Sequence, residues 1–375
     1  MKERIAVLGA NEPLIPFYKQ AKALGYEIIG IAIEQGAVCK PYCDRFYPIS
    51  FADKDKVIDI CKKENVDGIL SFSLESALPT VAYVANKLGL ISNSLESIEL
   101  TQSKYAQRQA LEKHGIPVPK YYLIEDESEL AKVDCCFPVI VKPVDSGGSQ
   151  GICKVENHDN LVDAYRFAVG YSRTSKAIVE EFVDGREFSV EYISHKGKHY
   201  FLQITDKVTS GAPRFVEMQH HQPADIPESV WLRIQQMVEK ALTALKIENS
   251  ASHTEIKWNS NDELYIIETG ARMGGDYISS DLVRLSTGYD FVDGAIKLAV
   301  NKFEDPVFPK RMYSGVYFYS QLAPEIGDVI RLHEKWPEIV EWEISDEPLM
   351  EVKSNADRRG YFLYQSENGK FNRIK

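Results

Sequence analysis

The residues with the clearest chemical potential are a lysine and the glycine-rich stretch behind it. The apolar run VIVKP carries Lys142 near its end, and DSGGSQG, residues 145–151, follows at once. Two chemistries fit that stretch. Gly147, Gly148, Ser149, Gln150 and Gly151 satisfy G-x-S-x-G, the pattern of a hydrolase nucleophile elbow. The same glycines, with Ser146 and Ser149 beside them, would let backbone N–H groups lie over phosphate oxygens, because no Cβ blocks the approach. An elbow needs its serine in a sharp turn from a strand straight into a helix. Here the strand pattern stops near Pro143, Ser149 arrives several residues late, and the β-type run ICKV follows. A strand–loop–strand flap therefore outweighs the nucleophile. No Lys-Ser/Thr follows a G-x-x-x-x-G spacing, so the loop is not a P-loop. Taken alone it also reads as a mobile surface hairpin. Lys142 shifts the balance, since an ammonium leaving an apolar run beside such a flap lies where phosphates would sit.

Two acidic segments extend the pattern. In VEEFVDGREFSVE, Glu180 and Glu181 precede two apolar residues and a turn. Backbone amides near Glu181 and Val183 could read a base edge, and Glu187 could accept both ribose hydroxyls; the bland alternative is an acidic hairpin. Farther on, HTEIKW and ELYIIE flank a turn, and centring it between Asn261 and Asp262 sets Glu255 opposite Glu268 on one sheet face. Two facing carboxylates at the end of an apolar run would be costly unless they share a cation. A Mg²⁺ ion removes that cost and adds oxygen coordination for ATP phosphates; a register slip that sends one glutamate to solvent is the other solution. Arg272, four residues on, could grip a phosphate or carboxylate with a bidentate fork.

Elements of suitable type surround these residues. The first 100 or so residues alternate strand-like (RIAVLGA, YEIIGIAI, DGILSF) and helix-like segments, the order of a parallel, doubly wound unit. Its first turn, LGANEP, lacks the G-x-G-x-x-G of a dinucleotide site. Residues 101–115 read as one helix ended by Gly115. KAIVEEFVDGREFSVEYIS reads as two strands joined at Asp184-Gly185, a strong turn signal. PESVWLRIQQMVEKALTALKI is an amphipathic helix with Val230, Ile234, Met237, Ala241 and Leu245 on one stripe. From residue 312 onward the pattern is mostly β.

Composition sets outer limits. A length of 375 residues implies two or three domains. The net charge of −11 argues against a nucleic-acid partner, which needs a basic surface. No apolar run approaches the roughly 20 residues that span a bilayer, and MKERIAVLGA has no signal-peptide layout, so a cytoplasmic enzyme is expected. The six cysteines form no C-x-x-C pair, which disfavours a metal or disulfide framework.

Taken in order, SKYAQRQALEKHGIPVP, VIVKPVDSGGSQG, VEEFVDGREFSVE, HTEIKW and IIETGARMGG resemble the motifs of ATP-grasp enzymes over nearly the whole chain. Within that superfamily the HTEIKW and ETGAR pair most resembles the carboxylate–amine ligases that make dipeptides, the bacilysin-type L-amino acid ligases. More distantly it is similar to purine-pathway members. The resemblance implies a mixed α/β fold: a Rossmann-like domain over 1–100, an ATP-grasp domain over 101–300 with a lid at about 120–183, and a small C-terminal β domain over 301–375. It implies that Lys104 and Lys142 hold ATP phosphates, and that Ser146, Gly147, Gly148, Ser149 and Gly151 form the lid loop. It places Glu180, Glu181 and Val183 at adenine, Glu187 at ribose, Glu255 and Glu268 on Mg²⁺ (or Mn²⁺), and Arg272 at the γ-phosphate and an acyl-phosphate intermediate. The implied partners are a small carboxylate and a small amine, with a homodimer allowed. Many family members carry E-x-N at the second metal motif, whereas this chain has Gly270 in the third position, which puts the second metal ion in doubt. His220, His221, Arg214 and Tyr277 are candidates for substrate contact. A lid serine carries no bond-making role, so Ser149→Ala should keep most ATP turnover; its complete loss in an ADP-release assay would restore the nucleophile.

Overall fold

The computed structural model describes residues 2–148, 150–212 and 214–374. Ser149 therefore lies outside the described residues.

Apolar runs at the N-terminus form the first sheet. β1 (Arg4–Leu8), β2 (Glu27–Ala32), β3 (Arg45–Pro48) and β4 (Gly68–Leu70) run parallel in the order β3-β2-β1-β4, as the alternation of elements requires. β3, RFYP, escapes the pattern because it is charged, proline-ended and at the sheet edge. The second sheet is the lid: β5 (Tyr121–Ile124), β6 (Val139–Pro143), β7 (Cys153–Val155) and β8 (Ala177–Glu181), ordered β5-β8-β6-β7. The glycine-rich loop joins β6 to β7, which pair antiparallel, so the flap is a hairpin tip.

The remaining strands build one eight-stranded sheet. They are β9 (Arg186–His195), β10 (Lys198–Thr209), β11 (Glu217–Gln222), β12 (Ser250–Trp258), β13 (Leu264–Gly270), β14 (Tyr313–Tyr319), β15 (Ile339–Ile344) and β16 (Gly360–Ser366). Their order is β13-β12-β9-β10-β11-β14-β16-β15. The C-terminal strands thus continue the central sheet through the β11–β14 pair instead of closing a sheet of their own. Asp184-Gly185 joins β8 to β9, but these strands belong to different sheets, so the expected hairpin is a crossover. Gly185 has φ 119°, and a Cβ there would lie 2.2 Å from the Trp258 carbonyl oxygen; only glycine lets the lid connection pass so close to the body.

The two faces of the central sheet differ in chemistry because side chains alternate. Phe188, Val190, Ile204, Ile256 and Ile266 pack against Val230, Ile234, Met237 and Ala241 of the helix Glu228–Ala244. On the other face, Ile193, Leu202 and Ala251 share a core with Ile5, Phe17 and Phe72 of the N-terminal layer. That face also carries Glu187, Glu191, His253, Glu255 and Lys257, aligned by the pairs Glu187–Lys257 and Glu191–His253. The lid has its own core around Val139, Val141, Leu161 and Val179. Among the described residues no helix is long and apolar enough to cross a membrane. All six cysteines are free.

Candidate active site

The expected helix over 101–115 is two helices, Leu95–Gln102 and Lys104–Lys113, separated at Ser103. Ser103 is extended and its hydroxyl accepts from the Ala106 N–H, an N-cap that starts the second helix afresh. Lys104 therefore opens a helix. Its Nζ donates to the Ser146 carbonyl at 2.6 Å and meets Glu268 at 3.1 Å. One ammonium thus ties the lid loop to a predicted metal ligand.

Lys142, on β6, is buried against Glu180 of β8 at 2.6 Å. Arg108 closes on the same carboxylate through Nε at 2.6 Å and Nη2 at 3.2 Å, and Nη2 also donates to the Ile267 carbonyl at 2.6 Å. Burial alone would raise the Glu180 pKa, but Arg108 and Lys142 hold it down at about 2. Burial pushes the Lys142 ammonium below the usual lysine value. Glu180 was expected at adenine; it is instead the counter-ion of two cations, 3 % exposed. The Glu181 side chain is exposed, but its N–H is spent on the Lys120 carbonyl and cannot read a base edge. Val183 is half-buried two residues beyond.

Between lid and body lies a cleft of about 590 Å³, with Phe182, Lys154, Glu187, Lys207 and Lys257 on its walls. Lys154 and Lys257 stand 4.4 and 5.2 Å from the Phe182 ring. Its size suits a nucleotide. Glu187 faces the cleft and meets Lys207 at 3.0 Å.

Glu255 and Glu268 are cross-strand partners, as expected, but by a different route. Trp258 pairs with Leu264 and Ile256 with Ile266, so the turn is centred one half-step earlier than Asn261-Asp262 implies. A bulge between Glu255 and Ile256 absorbs the difference. Without it Glu268 would share the core-facing side with Ile266. The bulge re-aims it to the polar face, the usual work of such irregularities. Glu255 rests against Lys207 at 2.9 Å and His253 Nε2 at 3.5 Å. Burial opposes its ionisation, yet Lys207 and His253 hold its pKa well below the usual range. Among the described residues no three His, Cys, Asp or Glu side chains are grouped to hold a metal ion unaided. Two carboxylates with lysines as present partners fit Mg²⁺, which takes one or two protein carboxylates and completes its shell with phosphates and water.

Arg272 Nη2 stands 3.8 Å from Glu75, and its Nη1 donates to the Met273 carbonyl. A Cβ at Gly270 would lie 3.3 Å from Arg272 Nε. The departure from E-x-N thus has a steric meaning: the guanidinium lies over the place a side chain at 270 would take. Glu75 follows β4, at the strand ends where open α/β sheets bind ligands, a signal that would have found it. Burial, and then Glu268, raise its pKa. The lid reaches it too: a Cβ on Gly147 would come within 3.3 Å of its carboxylate. Gly148 and Gly151 have φ of 67° and 71°, which glycine adopts freely.

Sequence reasoning also missed Lys207. Its Nζ lies within about 3 Å of Glu187, Glu217 and Glu255 at once, at 3.0, 3.0 and 2.9 Å. Nothing in a lone mid-strand lysine announces three partners from three strands. Of the substrate candidates, His220 is fully buried, and neither ring nitrogen has a hydrogen-bond partner among the described residues, although Nε2 lies 3.6 Å from Glu217. His221 faces the other way and bonds the Tyr364 hydroxyl at 3.0 Å, a packing role. Tyr277 stacks on Tyr361 at 4.3 Å, and Arg214 is exposed.

Residues 135–281 match the family described as ATP-grasp domain. Over 296 residues it is 21% identical to an L-arginine-specific L-amino acid ligase of Bacillus subtilis, covering 77% of this chain and 70% of that protein. Over 249 residues it is 25% identical to a formate-dependent phosphoribosylglycinamide formyltransferase of Wolinella succinogenes, covering 64% and 63%. An uncharacterized protein of Sinorhizobium fredii is 27% identical over 250 residues, 64% of this chain but only 50% of its own length. The chain thus spans about half to two thirds of the length of several curated relatives it matches. The crystal structure of an L-amino acid ligase from Bacillus licheniformis superposes with a TM-score of 0.82 at 23% identity, covering 98% and 94% of the two chains. At that identity the likeness establishes the fold.

Removing one cation from a buried carboxylate leaves charge uncompensated. Arg108→Leu should therefore destabilise the protein by about 3–5 kcal/mol, read as an earlier urea unfolding midpoint.

Proposed function

We propose that this protein is an ATP-dependent carboxylate–amine ligase that forms an amide through an acyl phosphate. The observation that carries the reading is the convergence of Lys104, the Glu255–Glu268 pair, Arg272 and the lid loop beside Glu75 of the N-terminal layer. In the reaction, a substrate carboxylate oxygen attacks the γ-phosphorus and ADP leaves. An amine then attacks the acyl carbon, the C–O bond to phosphate breaks, and the amine's proton passes to the departing phosphate or to solvent. No covalent group on the protein is needed; alignment and positive charge suffice.

Lys104 and Lys142 supply charge beside the transferring phosphoryl group, and Arg272 offers a fork for the acyl phosphate. Mg²⁺, when bound, supplies Lewis-acid neutralisation of the phosphate oxygens, and Glu255 and Glu268 would hold it. The loop through Ser146, Gly147, Gly148 and Gly151 keeps water from the intermediate, because lid and Glu75 already meet across the site. Glu187 would accept the ribose, and Val183 and Phe182 would border the base. Domain-wise, 1–100 supplies Glu75, 101–300 the nucleotide site and 301–375 a wall of the substrate pocket.

Glu217, His220, Asp276 and Arg358 form one polar cluster beside Lys207 and would make a wall of that pocket. Arg358 grips Asp276 through two bonds of 3.0 and 2.7 Å and lies 3.8 Å over the Phe318 ring. Burial drives the His220 pKa down to about 3, so its ring is a neutral donor–acceptor. Burial raises the Glu217 pKa to about 7 against the pull of Lys207. An amino-acid-like substrate fits this set: its ammonium meets carboxylates, and its carboxylate meets Arg272. The similarity to a phosphoribosylglycinamide formyltransferase supports a second reading, a purine-type ligase acting on a phosphoribosylated amine.

Glu268→Ala should abolish ADP formation while circular dichroism stays native; retained turnover would remove Glu268 from the metal site. ADP release measured across a matrix of amino acids and amines, with mass spectrometry of each positive, should give a product equal to acid plus amine minus water. Release only with a phosphoribosylated amine would favour the purine-type reading. Because Glu217 ionises near pH 7, KM for an ammonium-bearing substrate should fall as pH rises from 6 to 8. Glu217→Gln should flatten that profile.

A further inference from the structure

The sequence motif HTEIKW begins with a histidine that the proposed chemistry does not use. His253 sits on β12 two residues before Glu255, on the same sheet face, and its backbone partner on β9 is Glu191. Glu191 is fully buried, and both of its oxygens are engaged. Oε1 meets His253 Nδ1 at 2.5 Å. Oε2 accepts from the Ser279 hydroxyl at 2.7 Å and from the Gly274 N–H at 3.3 Å. With Nδ1 committed to Glu191, the ring orientation is set, and Nε2 points at Glu255 Oε1, 3.5 Å away. Glu191 thus touches, through one carboxylate, the residue behind a proposed metal ligand and the loop that carries Arg272.

The loop shows the same dependence from its own side. A Cβ at Gly274 would fall 2.6 Å from His253 Nδ1 and 3.2 Å from both Glu191 oxygens. Gly274 is glycine because the chain must lie against this pair. Met273, one residue earlier, donates its N–H to the Phe72 carbonyl of the N-terminal layer at 2.9 Å. The loop is therefore pinned on one side to the N-terminal layer and on the other to Glu191.

We propose that Glu191 and His253 are positioning residues that hold Glu255 and the Arg272 loop in one fixed relation. The reading rests on Glu255 being a metal ligand. A histidine that orients a ligating carboxylate acts as an outer-shell partner, and loss of such partners costs about 10–100-fold in metal affinity. A purely structural Glu–His contact would affect folding stability but not metal affinity.

The test is Mn²⁺ binding to the full chain with ADP, read by electron paramagnetic resonance, alongside thermal unfolding without nucleotide. His253→Asn keeps a donor near Glu191 and removes the group facing Glu255. It should weaken Mn²⁺ about 10–100-fold with circular dichroism unchanged. If His253→Asn does not fold, Glu191→Gln, which keeps the volume and weakens the hold on the ring, is read in the same way. Mn²⁺ affinity within twofold of wild type in a folded variant overturns the proposal, whatever happens to Tm. Glu268→Ala separates the two levels. If it too leaves Mn²⁺ affinity unchanged, the metal-site assignment fails and the positioning role falls with it. If it abolishes binding while His253→Asn does not weaken it, only the positioning role is wrong.

Discussion

Arg108, Lys142 and Glu180 share one dry space, and the meeting of lid and body is arranged around them. Arg108 comes from the helix Lys104–Lys113, the other two from adjacent strands of the lid, and the Ile267 carbonyl of the central sheet accepts from the same guanidinium. An ionised group out of water is tolerated only when paired and hydrogen-bonded. No single element here could bury its own charge. The helix and the lid hold one another's ions while β13 lends a carbonyl, so separating helix from lid strands the Arg108 charge.

The same logic extends across the polar face of the central sheet. Lys104 answers Glu268, and Lys207 answers Glu187, Glu217 and Glu255. Each carboxylate assigned to nucleotide or metal already has a cation close by. On the proposed reading, a nucleotide with its metal would exchange partners with these lysines and carboxylates. Under that proposal the polar groups are aligned before a phosphoryl group arrives, the preorganisation that electrostatic catalysis requires. The glycines serve that arrangement sterically. Gly185 lets the lid connection cross Trp258, Gly270 leaves room for Arg272, and Gly274 leaves room for His253.

Much of this was legible in residue order. Apolar periodicity located the parallel N-terminal strands, the flap between β6 and β7 and the helix Glu228–Ala244. The Glu255–Glu268 pair was readable from the turn and the two-residue repeat, although a bulge, which no pattern announces, is what turns Glu268 to the polar face. Glu180 was misplaced because its position in an acidic motif suggested a ligand contact. Its partners lie 72 and 38 residues earlier in the chain, and only packing brings them together. Ser103 was legible in retrospect, since a serine before a helical run is an N-cap signal.

By itself, the sequence determined most of the strands and helices, which of their faces are apolar, and which residue types are available for phosphate and metal chemistry. These depend on local periodicity and on motifs held within a few residues. The tertiary structure decided the pairing of charges, the continuation of the C-terminal strands into the central sheet, and the place of Glu75, Lys207 and the Glu191–His253 pair beside the site. Those are matters of contact between segments far apart in the chain. Local preference is silent about them, because the energy of a buried charge depends on what the rest of the fold sets against it.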